Sequence, residues 1–91
     1  MLPVQTIAAS VMAELIRRQP ASKERTAFAW SIAVGPALSR VTTVELRNAR
    51  LFVTARDPRW ALEIERATAT ILKRVQLLLG PEAVRGIYVN A

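Results

Sequence analysis

The apolar residues Val4, Ile7, Ala8, Val11, Met12, Leu15 and Ile16 recur at intervals of three and four, the spacing that places side chains on one face of a helix. Pro3 suits the first turn, Arg17 and Arg18 place cations in the last turn, and Pro20 stops the helix. Ser22 is the expected N-cap of a second helix that opens with Lys23, Glu24 and Arg25. Within it Ala27, Phe28, Trp30, Ile32, Ala33 and Val34 leave almost no polar face, so burial on two sides is expected. Gly35-Pro36 should then break or kink the chain, because glycine takes backbone angles closed to other residues and proline can begin a new turn.

From Thr42 the period changes to two. Thr42 to Leu46 and Arg50 to Arg56 alternate around Arg47-Asn48-Ala49 and predict a β-hairpin whose turn Asn48 can serve with a positive φ. Val44, Leu46, Leu51, Val53 and Ala55 then face inward, and Thr43, Glu45, Arg47, Arg50, Phe52, Thr54 and Arg56 face out. Asp57-Pro58 reads as an N-cap with proline at the first helical position, and Gly80-Pro81 as a stop, so one long helix is expected over residues 58–79. Its apolar stripe is Trp60, Ile64, Ala67, Ile71, Val75 and Leu78. Arg59, Glu63, Arg66, Thr70 and Lys73 lie opposite, with Arg59 and Glu63 spaced for an i,i+4 pair. Leu62, Ala69 and Leu77 border that polar side. Val84 to Asn90 predicts a last short strand, Ile87 and Val89 inward, Gly86 and Tyr88 outward.

The order helix-helix-strand-strand-helix-strand predicts an α+β two-layer sandwich, a three-stranded sheet with helices on one face. The third strand, reached by a crossover, should run parallel to the second. A chain of 91 residues with 52% hydrophobic and 22% charged residues has the profile of one globular domain, here residues 1–91. Its mean hydropathy of +0.21 leaves room for apolar surface that serves a partner or a second copy. No apolar run reaches the roughly 18 residues of a membrane span, and no basic residue precedes Arg17, so a cytoplasmic location is expected.

The chain has no cysteine and no histidine. It therefore lacks thiolate chemistry, disulfides, cysteine or histidine metal ligands, and the side chain most used for proton transfer near neutral pH. With no glycine-rich phosphate loop either, neither an enzyme nor a cofactor or metal is expected. Charge points elsewhere. The net charge is +6, and half of it falls in residues 40–59, where Arg40, Arg47, Arg50, Arg56 and Arg59 oppose Glu45 and Asp57. Arg47, Arg50, Phe52, Arg56, Arg59 and Tyr88 are the candidate nucleic-acid-binding residues, since basic side chains among aromatics combine phosphate neutralisation with a stacking platform. A solvated polar face of an antiparallel hairpin would show the same alternation. Arg17, Arg18, Lys23 and Arg25 form a second basic cluster, for which helix-end capping is the simpler account of the first two.

The series Trp30-Ser31-Ile32-Ala33-Val34-Gly35-Pro36, then Leu51-Phe52-Val53, then Arg59-Trp60-Ala61-Leu62-Glu63 resembles the DciA family over nearly the whole chain. The resemblance makes Trp30, Gly35 and Trp60 motif positions, and both tryptophans are expected in the core. It implies a bacterial helicase operator, a non-enzymatic adaptor that binds the DnaB-type replicative helicase and single-stranded DNA and assists helicase loading in replication. It also implies a K-homology-like fold, although the Gly-x-x-Gly loop with which K-homology domains clamp a nucleic-acid backbone is absent. Longer members carry an extension beyond this domain, which the chain is expected to lack. Two other readings stand beside this one: a K-homology-like RNA-binding module, and a purely protein-binding or self-associating domain whose sheet face is an interface.

Overall fold

The computed structural model describes the backbone from Val4 and side chains from Val11. Eight elements follow in order: α1 (Val4–Arg18), α2 (Lys23–Val34), α3 (Pro36–Arg40), β1 (Thr42–Arg47), β2 (Arg50–Ala55), α4 (Pro58–Arg66), α5 (Thr68–Leu79) and β3 (Gly86–Asn90). The fold is α+β, and its sheet has three strands in the order β1-β2-β3. The central strand β2 pairs antiparallel with β1 and parallel with β3, as the crossover requires.

Alternation along the strands places Leu51, Val53 and Ala55 in the core, with Val44, Leu46, Ile87 and Val89 packed against it from the flanking strands. The hairpin closes at the pair Arg47 and Arg50, with Asn48 at φ 51° and Ala49 at φ 63°. Two consecutive left-handed residues suit the right-handed twist of the strands. Asparagine tolerates that conformation, whereas the Cβ of Ala49 makes it costly.

Local signals account for most helix ends. The Ser22 hydroxyl accepts from the Arg25 amide at 3.0 Å, and Asp57 Oδ1 accepts from the amides of Arg59 and Trp60 at 2.9 and 3.3 Å. Gly35 ends α2 at φ 85° and ψ 169°, a region open almost only to glycine, and Pro36 starts α3. Trp30 is 2% exposed. Its indole donates to Thr42 Oγ1 at 2.8 Å, and that hydroxyl donates to the Leu38 carbonyl at 2.7 Å, tying α2, α3 and β1 together. The buried polar handle that an indole needs is thereby satisfied.

Several expectations are corrected. The long helix is two helices, parted at Ala67 with φ −104° and ψ 10°. The Thr68 hydroxyl donates to the Ile64 carbonyl at 3.0 Å, and the Ala67 amide donates to the same carbonyl at 3.1 Å, so the i to i−4 ladder is interrupted without glycine or proline. The break lets α4 lie along β2 and β3 while α5 supports α1 and α2. Trp60 is half-buried, packing at the edge of the core, because it sits in the first turn of α4. Glu63 pairs with Arg66 at 3.8 Å, not with Arg59. That pair is exposed and contributes little to stability. The last strand begins at Gly86, because Val84 is fully buried and its carbonyl accepts from Gln76 Nε2 at 2.9 Å instead of entering the ladder.

Helix α2 is buried on one side only. Thr26, Ala29, Trp30 and Ala33 face the core, while Phe28 and Ile32 are exposed. Helix α1 reaches the body of the molecule by packing on α5 and buries only Ala13 and Ile16 of its described side chains. Val11, Met12 and Leu15 of the expected stripe are therefore exposed. Pro3 and the side chains of Val4, Ile7 and Ala8 lie outside the described residues. No helix among the described residues is long and apolar enough to cross a membrane.

Candidate nucleic-acid interface

Helices α2 to α5 contact the sheet and α1 stacks on α5, and among the described residues no helix covers the outward face, where Thr43, Glu45, Arg47, Arg50, Thr54 and Tyr88 are exposed. Register places Glu45, Phe52 and Tyr88 in one row across the three strands. Phe52 and Tyr88 stack with ring centroids 5.6 Å apart and planes 26° from parallel. The Arg47 guanidinium carbon stands 4.5 Å from the Phe52 ring centroid, and that of Arg50 stands 5.9 Å from the Tyr88 centroid, both within cation–π range. Gly86 lies beside the Tyr88 ring, where an added Cβ would make an ordinary van der Waals contact with Cε2 at 3.4 Å. Tyr88 remains 50% exposed, and Phe52 is half-buried by its neighbours.

The array thus presents two cations and two aromatic faces at the hairpin end of the sheet. Glu45 tempers it, with Oε1 3.4 Å from Arg47 Nε. Both side chains are well exposed, so the pair is screened by solvent and leaves the remaining guanidinium nitrogens of Arg47 able to meet a phosphate.

Not every candidate joins this cluster. Arg56 follows the last residue of β2, four positions from Phe52 and so about 13 Å along an extended chain. It lines a depression of about 230 Å³ at the other end of the sheet, together with Arg40, Thr43 and Thr54. Arg40, grouped by the sequence only with the local charge, is therefore a neighbour of the outer face. Arg59 opens α4 and so belongs to the helix layer, away from the stacked rings. The exposed face carries a cation pair at each end, with the aromatic rings beside the first.

The second basic cluster is dispersed. Arg17 Nη2 donates to the carbonyls of Leu77 at 2.7 Å and Gln76 at 3.5 Å, closing the C-terminus of α5, not that of its own helix. Arg25 Nη1 donates to the Gln19 carbonyl at 3.2 Å. Arg18 and Lys23 are exposed. A residue that the sequence did not single out does similar structural work: Arg74 Nη1 donates to the Ala33 carbonyl at 3.2 Å and secures the last turn of α2 against α5. Nothing in its spacing set it apart from Lys73 beside it.

No curated protein and no solved structure matches the chain, and the K-homology-like fold that the resemblance implies is not confirmed. A family model described as Dna[CI] antecedent, DciA, does match, over residues 3–89. That span takes in the Trp30 relay, the Gly35 break, the hairpin with its exposed face and the Asp57-capped start of α4. The chain belongs to the DciA family.

Proposed function

We propose that this chain is an adaptor that binds the DnaB-type replicative helicase and holds single-stranded DNA across its outer sheet face, assisting helicase placement without hydrolysing nucleotide or using a cofactor. The DciA family is associated with loading of the DnaB helicase. The observation that carries the DNA half is the Arg47, Phe52, Tyr88 and Arg50 array, because stacked rings bracketed by guanidiniums match what a single strand offers: flat bases and a row of phosphates. The helicase half rests on the family.

Anisotropy titrations of a labelled oligonucleotide over a range of salt test the DNA reading. If Arg47, Arg50 and Arg56 each neutralise one phosphate, log K against log salt should slope at about −2. No saturable binding at low salt would rule the reading out. Equal or tighter binding of the RNA version of the same oligonucleotide would favour an RNA-binding module instead. Co-elution of the chain with purified helicase tests the other half, and its absence at tens of micromolar would end it.

A further inference from the structure

The larger share of exposed large apolar side chains lies not on the sheet but on the first two helices: Val11, Met12, Leu15, Phe28 and Ile32 are between 36% and 52% exposed. Helices α1 and α2 each lean on α5, and between them runs a cleft of about 540 Å³. Met12, Leu15, Ile16 and Gln19 of one side recur at helical spacing and face Phe28 and Arg25 of the other, with Pro20 closing the end. That wall spans about two helical turns, roughly 10 Å.

The rim is basic. Arg25 borders the cleft with its Nη1 held by the Gln19 carbonyl, while its Nε is buried without a hydrogen-bond partner among the described residues. Glu24 also lines the cleft, and Arg18 and Lys23 are exposed just outside it, so the corner as a whole carries a net positive charge. A corner of net positive charge beside an apolar trough is matched by a carboxylate next to an apolar stripe. A second copy fits poorly, because a two-fold contact would press two such rims together in a chain that already carries a net +6.

We infer that this cleft is where the partner helicase is gripped, and that the occupant is an amphipathic helix of about two turns with an acidic side chain placed to meet Arg25. The inference rests on the helicase reading above and adds its surface and chemistry: the domain would hold protein on its helix layer and nucleic acid on the opposite face of its sheet.

The test compares the chain with its Leu15→Gln, Phe28→Gln double variant and with Arg25→Glu, using purified DnaB-type helicase in solution. Thermal unfolding is followed in parallel, and glutamine at two exposed helix positions should leave the fold intact. The double variant should bind helicase at least about ten-fold more weakly, with single-stranded DNA affinity held within about two-fold. The charge reversal should weaken helicase binding by a similar factor. Wild-type helicase affinity in the folded double variant overturns the inference and leaves the adaptor reading standing. If the unmutated chain itself fails to bind helicase, both fall. A concentration-dependent dimer of the unmutated chain that the double variant abolishes would make a second copy the occupant, and that too overturns it.

Discussion

Two groups of arginines, each gathered within a short stretch of sequence, meet opposite fates. At the corner between α1 and α2 two of the three spend donors on the fold: Arg17 closes the end of α5, and Arg25 reaches back to Gln19, while Arg18 stays exposed. Those of the hairpin, Arg47 and Arg50, contact only rings and one carboxylate on the surface. The difference lies in what the backbone nearby has left over. Helix C-termini expose carbonyls with no partner in the helix, and a long cationic side chain close by satisfies them. Arg50 lies on the central strand, whose carbonyls are spent in the two ladders, and the Arg47 guanidinium lies over the Phe52 ring, so neither is committed to a backbone acceptor.

The contrast can be broken most sharply at the rings. Phe52→Ala should lower single-stranded DNA affinity by about 1 to 3 kcal/mol with the salt slope nearly unchanged, as loss of a stacking surface does. An unchanged affinity would move the site off this face. Next in size is the paired removal of the hairpin cations. Arg47→Ala with Arg50→Ala should shallow the salt slope by about 1.4, read from the same titrations, while urea unfolding shifts by no more than about 0.5 kcal/mol.

Arg17→Met should do the reverse. It should cost about 1 kcal/mol in urea unfolding, because two α5 carbonyls lose a charged donor, and leave DNA affinity within about two-fold. Weaker DNA binding at unchanged stability would instead make the corner a contact surface. The smallest effect is expected at the hairpin turn that holds Arg47 and Arg50. Ala49→Gly should raise stability by up to about 1 kcal/mol, since glycine adopts the positive φ without a Cβ clash, and DNA affinity should not change.

Trp30 and Trp60 show how far a stripe can be read. Both lie on apolar faces in the sequence, yet only Trp30 is enclosed, because it sits on the one buried face of α2, which meets α5 and β1, whereas Trp60 is in the first turn of α4 and half-buried. The candidate DNA site divides in the same way. Arg47, Arg50 and Phe52 were legible from alternation alone, and Tyr88 from the last strand. That Tyr88 stacks on Phe52 follows from the parallel register of β2 with β3, which pairs the two residues directly. Arg59 was close in sequence but went with its helix.

The sequence by itself determined what depends on near neighbours: the strands with their inward and outward faces, the caps at Ser22 and Asp57, and the break at Gly35-Pro36. In each case the cause lies within a few residues, as a period of two, a side-chain acceptor or a backbone angle that few residues allow. Tertiary structure alone decided the parting of α4 from α5 at Ala67, the open flank of α2, the cleft beside it and the capping of one helix by an arginine of another. Those features depend on where α1 comes to rest and on which partner each half of the expected long helix must follow. Such contacts join residues about 40 to 60 positions apart, as Arg74 with Ala33 and Arg17 with Leu77 do. No local pattern carries that information, because a helix stripe says which side is apolar but not what will cover it.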